Sequence, residues 1–179
     1  MVMQQIKIHD KTFVPYLEAA QLQQRIAEMG GEISRDYAGL SPLFIGILNG
    51  AFMFAGDLFK SISVEATISF VKLASYSGEQ STGKVVTAIG LTEPVKDRHV
   101  IILEDIVDTG HTLAAFIPEL LKGEPASVKV AALLSKPDAR KAHVDMHYTG
   151  FEIPDKFVVG YGLDYDGLGR NLADIYQLG

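Results

Sequence analysis

The stretch VIILEDIVDTGHTL, residues 100–113, decides the fold of this chain and points to its chemistry. It opens with a continuous apolar run, which is typical of a strand covered on both faces in a parallel sheet. Two adjacent carboxylates follow at Glu104 and Asp105, and a turn containing Asp108 then leads into an apolar helix. Because function in such sheets gathers at the carboxyl ends of the strands, we expect a polar site there.

The turn after this strand is suited to bind an anion. It consists of Asp108, Thr109, Gly110, His111 and Thr112. The unpaired amides at the start of the next helix favour a phosphate, and Gly110 lets the backbone approach an anion closely. Asp108 or Thr109 could instead only cap the helix, and His111 could contact phosphate or point to solvent.

The two carboxylates that precede this turn also indicate a ligand. Side by side, Glu104 and Asp105 would repel each other unless hydroxyl groups or a divalent cation lie between them. The strand end therefore predicts a polyol or cationic ligand beside the anion.

Taken together, residues 100–113 resemble the phosphoribosyl pyrophosphate signature of the type I phosphoribosyltransferases. Other segments, in the order found in this family, resemble its hypoxanthine-guanine members. They are ILNGAFMFAGDL at 47–58, similar to the pyrophosphate loop and its helix; SYSGEQSTGK at 75–84, similar to the mobile lid; and TGFEIPDKFVVGYGLDY at 149–165, similar to the purine-contacting segment. Because several motifs occur in family order, a chance resemblance is improbable.

Chain length and hydrophobic patterning agree with this resemblance. The chain has 179 residues, 47% of them hydrophobic, which is enough for a sizeable core. Patterning predicts helices at 14–37, 52–59 and up to 121, the first of which ends at Gly30 and Gly31 or continues after a break there. It predicts strands at 43–48, 64–73, 85–89, 128–134 and 157–161 besides the one at 100–103. Such alternation predicts an α/β fold with a mostly parallel central sheet flanked by helices. The resemblance adds a small hood subdomain from the N-terminal residues and roughly 155–179, within a single domain spanning 1–179.

Composition excludes several other classes of protein. The net charge is −6, with 22 acidic and 16 basic residues and no block of lysine or arginine, so nucleic acid is not an expected partner. The chain has no cysteine, which excludes disulfides and thiolate metal sites. Charges near the start argue against a secretory signal, and the longest apolar run, 44–56, is too short to span a bilayer. We therefore expect a cytoplasmic protein without a membrane partner.

The resemblance implies transfer of the 5-phosphoribosyl group from phosphoribosyl pyrophosphate to N9 of hypoxanthine or guanine, with Mg²⁺ as cofactor. Asp108 would be the catalytic general base or proton relay at purine N7. The phosphoribosyl group would be bound by Glu104, Asp105, Asp108, Thr109, Gly110, His111 and Thr112. The resemblance also implies a homodimer or homotetramer.

The remaining roles follow from the same resemblance. The purine would be bound by Lys136, Phe157, Val158 and Asp164. The pyrophosphate would be bound by Asn49, Gly50 and Arg170, the metal by Glu104, Asp105 and Asp164, and the lid would begin at Ser75 and Tyr76. Lys136 also follows a buried strand, which places its ammonium at the same sheet edge, where it can donate to a carbonyl oxygen.

One position departs from the family pattern. Asn49 stands where the resembling enzymes usually have lysine or arginine, so a cationic contribution to pyrophosphate binding is missing. Family members hold a non-proline cis peptide in this loop, which we expect at Leu48–Asn49.

Two other patterns suggest sites that their context does not favour. The segment 78–85 nearly spells a phosphate-binding P-loop, but it has Val85 where magnesium needs a hydroxyl and a strand-like sequel, so a lid or hairpin is the better interpretation. His143 and His147 have helical metal-pair spacing, yet the segment alternates like an extended chain.

The alternative to an enzyme is a regulatory RNA-binding or nucleotide-binding protein with the same fold.

Overall fold

The computed structural model describes residues 4–75 and 85–179, in which strands and helices alternate through the middle of the chain. The strands are β1 (Ile6–Ile8), β2 (Lys11–Leu17), β3 (Leu43–Leu48), β4 (Thr67–Ser75), β5 (Val85–Ile89), β6 (His99–Val107), β7 (Ser127–Ser135), β8 (Tyr148–Glu152), β9 (Val158–Val159) and β10 (Ile175–Leu178). The helices are α1 (Ala19–Asp36), α2 (Phe52–Lys60) and α3 (His111–Leu121), with a 3-10 turn at Pro137–Ala139.

The larger sheet has the strand order β5-β4-β3-β6-β7-β8. Its strands β4, β3, β6, β7 and β8 run parallel, and β5 joins the edge antiparallel. This confirms the predicted α/β fold with a mostly parallel central sheet. The strand that contains Glu104 lies in the middle of the sheet, between β3 and β7.

Helices cover both faces of this sheet. Ile101 and Leu103 pack in one cluster with α1 and α2, and Val100 and Ile102 pack in another with α3. All four side chains are fully buried. Burial on both faces explains why residues 100–103 of β6 are continuously apolar instead of alternating.

A smaller antiparallel sheet, in the order β1-β2-β10-β9, is built from the two ends of the described chain. Its own cluster contains Ile8, Phe13, Val159 and Tyr176. This sheet fits the predicted hood. In the described residues, no helix is both long enough and apolar enough to cross a membrane.

The first predicted helix begins later than expected. Residues 14–17 belong to β2, because they pair with β10 from the far end of the chain, a partner that local spacing does not reveal. The helix also continues past Gly30 to Asp36. A Cβ at Gly30 would lie 2.6 Å from that of Ser61, so this glycine permits close packing instead of ending the helix.

Candidate active site

The carboxyl end of β6 carries two acids in different environments. Glu104 is buried (8% exposed), and burial together with the neighbouring Asp105 carboxylate raises the pKa of Glu104 well above its usual range. Burial also raises the pKa of Asp105, but the Ile106 N–H donates to its Oδ1 at 2.9 Å and Arg170 attracts it, both of which favour the anion. Both acids therefore resist ionisation, and Asp105 has more partners that stabilise its anion.

A cleft opens beside this pair at the turn before α3. It is lined by Glu104, Ile106, Val107, Asp108, Thr109, Gly110, Thr112 and Leu113. Gly110 holds the N-cap position with φ +81° and without a side-chain cap, so Asp108 and Thr109 do not occupy the capping position. The start of α3 can therefore direct its amides at an anion in the cleft. His111 and Thr112 are exposed.

The segment 140–142 braces this turn. The N–H groups of Lys141 and Ala142 donate to the Thr109 carbonyl at 2.9 and 3.0 Å. A Cβ at position 110 would lie 2.7 Å from the Ala142 carbonyl oxygen, so only glycine fits there. Nothing in the local sequence pattern of 140–142 indicated this contact, which joins residues about thirty positions apart.

Lys136 lies at the same edge, as its position after a strand predicted. The residue is buried (5% exposed), and its Nζ is 3.4 Å from Asp108 Oδ2 and 3.3 Å from Asp155 Oδ1. The structure thus brings the predicted general base next to the predicted purine-binding lysine. Asp155 was not among the predicted site residues.

The strand β9 presents backbone groups at an open edge of the small sheet. The Leu178 N–H donates to the Phe157 carbonyl at 2.8 Å. Because strand residues alternate in direction, the N–H and carbonyl of Val158 point away from β10. The Phe157 ring is 43% exposed and stands edge-on to Tyr165, with ring centroids 5.8 Å apart. A partly exposed aromatic ring therefore lies next to backbone groups that do not pair with β10.

The loop after β3 packs against Asp105 on one side. The Leu48–Asn49 peptide is cis, as predicted, and Asn49 is exposed. A Cβ at Gly50 would lie 1.6 Å from Asp105 Oδ2, so glycine is required for this approach. On its other side, a Cβ at Gly162 would lie 2.1 Å from the Gly50 carbonyl oxygen. The loop is thus held between the acidic strand end and the turn that follows β9.

Arg170 and Asp164 are paired beside this loop. Arg170 Nη2 is 2.6 Å from Asp164 Oδ1, and Arg170 Nη1 donates to the Gly162 carbonyl at 2.6 Å. The Gly167 N–H donates to the other Asp164 oxygen at 2.8 Å. The structure therefore groups Asp164 and Arg170 with the predicted pyrophosphate loop.

A buried tyrosine that was not predicted as a site residue fixes the turn after β9. Tyr161 is 2% exposed and has φ +49°, between two glycines that also have positive φ. Its hydroxyl donates to Asp57 Oδ2 in α2, the helix that follows the loop. Gln23 of α1 also donates to this oxygen at 2.6 Å. One carboxylate thus joins both helices to the turn.

The predicted metal ligands supply only oxygen, the donor type that Mg²⁺ prefers. Among residues 4–75 and 85–179, no group of three His, Cys, Asp or Glu side chains is arranged to bind a metal ion. Glu104, Asp105 and Asp164 therefore do not form a complete metal site by themselves. Magnesium is commonly held by one or two carboxylates together with substrate phosphates. The acids present fit that mode of binding.

The remaining predictions have different outcomes. Ser75 ends β4, while Tyr76 and most of the P-loop-like segment lie outside the described residues. His147 Nδ1 accepts a hydrogen bond from the Val130 N–H at 3.2 Å, and His143 lies 2.9 Å from exposed Asp145. The two histidines therefore have separate partners.

Comparisons with known proteins agree with this geometry. A family model described as the phosphoribosyl transferase domain matches residues 16–166. A hypoxanthine-guanine phosphoribosyltransferase of Mycobacterium avium is 43% identical over 169 residues, covering 90% of this chain and 83% of that protein. One from Streptococcus pneumoniae is 40% identical over 156 residues, covering 87% of each.

Solved structures give the same result. A hypoxanthine phosphoribosyltransferase from Staphylococcus aureus superimposes with a TM-score of 0.87 at 39% identity, covering 93% of this chain and 91% of that one. A hypoxanthine-guanine phosphoribosyltransferase from Bacillus anthracis gives a TM-score of 0.85 at 35% identity, covering 93% and 98%.

Proposed function

This chain belongs to the phosphoribosyltransferase family, and on that premise we propose how its residues share the reaction. It is a purine salvage enzyme, a hypoxanthine-guanine phosphoribosyltransferase. It transfers the 5-phosphoribosyl group from phosphoribosyl pyrophosphate to N9 of hypoxanthine or guanine, giving IMP or GMP and pyrophosphate. The observation that carries the assignment of roles is the Asp108–Lys136 contact of 3.4 Å directly beside the start of α3.

The cleft at α3 receives the phosphoribosyl group. The 5′-phosphate accepts from the amides and hydroxyls of residues 109–112, supported by the positive end of the helix dipole. Glu104 and Asp105 hold the ribose hydroxyls. This arrangement is supported by the position of both acids towards the carboxyl end of β6, where Glu104 lines the cleft.

The base lies between the end of β7 and the edge of β9. Lys136 donates to the 6-oxygen of the purine, the exposed Phe157 ring stacks on the base, and the outward backbone of Val158 reads its Watson–Crick edge. Asp108 accepts the proton at N7. The half-exposed Asp108 side chain, next to both the cleft and Lys136, supports this role.

The leaving pyrophosphate occupies the loop at Asn49 and Gly50, with Arg170 beside it. Members of this family generally require magnesium. Asp105, Glu104 and Asp164 would hold it together with substrate oxygens, and when bound it neutralises charge on the leaving group. As the bond from C1′ to pyrophosphate breaks, the ribose gains positive charge, which the Asp105 and Asp108 carboxylates stabilise.

Incubation with labelled phosphoribosyl pyrophosphate, magnesium and single bases tests this function. Hypoxanthine and guanine should each give a nucleoside monophosphate, and adenine should give far less. Binding of phosphoribosyl pyrophosphate without product from any base would contradict the transferase and leave a nucleotide-binding protein. The family relatives do not favour that alternative or an RNA-binding regulator.

We also propose that residues 1–179 form one domain and that the protein acts in the cytoplasm as a homodimer or homotetramer. Support comes from the shared hood sheet at the two chain ends and from the similarity to the family. Sedimentation of the purified protein separates monomer, dimer and tetramer.

A further inference from the structure

We propose that Asp155 is a positioning residue that aims the Lys136 ammonium at the 6-position of the base and thereby sets the preference for 6-oxopurines over 6-aminopurines. The inference rests on the proposed function, since it assigns a partner to the lysine that reads the base. Asp155 lies within the segment 149–165 but was not among the predicted site residues.

The Lys136 ammonium has a limited number of donors. A protonated lysine has three N–H groups. Two of them have carboxylate partners, Asp108 Oδ2 at 3.4 Å and Asp155 Oδ1 at 3.3 Å. The Lys136 side chain is 7% exposed, so water has little access to the remaining donor. Two fixed partners leave one donor with a defined direction for the base.

The two carboxylate partners of Lys136 have different roles. Asp108 accepts the proton at purine N7 and must interact with the base during the reaction. Asp155 takes no part in the transfer reaction, and its side chain is 63% exposed at the rim of the site. Asp155 can therefore hold the ammonium while the interaction of Asp108 with it changes.

Asp155 and Lys136 belong to segments next to different sheets. Lys136 follows β7 of the large sheet, whereas Asp155 lies just before β9 of the small sheet. The Ile153 N–H donates to the Ser135 carbonyl at 2.9 Å and brings the two segments together. The ion pair thus fixes the ammonium relative to Phe157 and Val158, which contact the rest of the base.

The fixed position of the Lys136 ammonium affects which bases bind. A 6-oxo group accepts from the ammonium, whereas a 6-amino group presents its own donors and is repelled. Without Asp155, Asp108 is the one carboxylate left in contact with the ammonium among the described residues. The ammonium then shifts toward Asp108, which weakens binding of the 6-oxo group and lowers the penalty against a 6-amino group.

The test compares Asp155→Asn with Asp166→Asn. Asp166 is 85% exposed on the same hood and has φ +49°, a conformation that asparagine tolerates, so this control makes the same charge change without contacting Lys136. For Asp155→Asn we expect KM for hypoxanthine to rise about five- to tenfold, with kcat and KM for phosphoribosyl pyrophosphate within about twofold. The ratio of kcat/KM for hypoxanthine over adenine should fall, and Asp155→Glu should restore part of both values.

A double-mutant cycle shows whether Asp155 acts through Lys136. In a Lys136→Met background, Asp155→Asn should no longer change KM for hypoxanthine. An equal effect in both backgrounds overturns the proposal, as does an Asp155→Asn variant that behaves like Asp166→Asn or loses kcat with KM unchanged. If the unsubstituted protein makes no nucleotide from any base, the proposed function itself fails; if it does and Asp155→Asn matches it, only this inference fails.

Discussion

In the phosphoribosyl half of the site, one continuous stretch, 104–113, supplies the acids, the anion turn and the helix start. In the purine and pyrophosphate half, the groups come from distant segments: 49–50, Lys136, 155–158 and 161–170. Local backbone geometry sets distances in the first half, whereas contacts between the two sheets and helices α1 and α2 set them in the second. Substitutions in the first half should therefore act on chemistry directly, and many in the second should act through position.

The largest effect on turnover is expected at Asp108, whose contact with Lys136 joins the two halves of the site. Asp108→Asn keeps the size of the side chain but removes the carboxylate that accepts the proton at N7. Turnover should fall roughly 10²- to 10⁴-fold, a typical loss for a general base. Steady-state kinetics with hypoxanthine and phosphoribosyl pyrophosphate measures this.

Melting temperature provides the control for Asp108→Asn. The side chain is 46% exposed, so the variant should melt near the unsubstituted protein. Unchanged turnover in a folded variant would remove Asp108 from the mechanism and make the first half a binding element alone.

The same contrast explains what the sequence could predict. Residues 100–113 follow one another, so their periodicity and turn chemistry placed β6, the cleft and α3 correctly. Lys136 was placed because it directly follows a buried strand. Arg170 was assigned through family resemblance, since its flanking residues fit a surface turn equally well.

The contacts that the sequence did not reveal join distant positions. Asp155 lies 19 residues from Lys136, and Tyr161 lies 104 residues from Asp57. Residues 14–17 of β2 were wrongly predicted as helix for the same reason, since the partner strand β10 is at the far end of the chain. Local patterns report which face is apolar, but they do not report which distant side chain completes a pair.

A substitution at Tyr161 tests whether the second half depends on the hydrogen bond from Tyr161 to Asp57. Burial and Asp57 raise the pKa of Tyr161, so its hydroxyl remains a donor at neutral pH. Tyr161→Phe leaves Asp57 its bonds to Gln23 and Lys60 but frees the turn that presses Gly162 against Gly50. We expect KM for the base and for pyrophosphate in the reverse reaction to rise about tenfold, the typical value of a buried hydrogen bond to a charged group.

Lys60→Met is the matched control for Tyr161→Phe. It removes another partner of Asp57, a lysine that is 74% exposed, and should leave both KM values unchanged. A Tyr161→Phe variant that only melts earlier, with normal KM values, would show that the tyrosine stabilises the fold without positioning the loop.

A smaller effect is expected at Asn49, where the second half lacks the basic residue usual in the family. The side chain is exposed beside Gly50, so Asn49→Lys adds a cation near the leaving group at little structural cost. KM for pyrophosphate in the reverse reaction should fall about threefold, in line with one exposed charge interaction. Asn49→Gln is the neutral control, and equal values for the two variants would contradict a role for charge.

The smallest effect is expected on the free energy of unfolding and comes from Glu104 in the first half. Burial raises the pKa of Glu104 above its ordinary value of 4.5, and the Asp105 charge adds to this. The unfolded chain releases this proton near the ordinary value, whereas the folded protein holds it to higher pH. Ionisation of Glu104 therefore opposes folding, and this penalty is absent below pH 4.5 and grows as the pH rises toward the folded pKa.

Glu104→Gln removes the ionising group and nearly preserves its shape, so the variant should melt a few degrees higher than the unsubstituted protein at neutral pH. The difference should shrink as the pH falls and disappear near pH 4, where Glu104 is protonated in both states. Thermal unfolding of both proteins across this range measures it. A gain that is constant with pH would mean that packing, not charge, causes it, and the acidic strand end would then carry no electrostatic strain for its ligand to relieve.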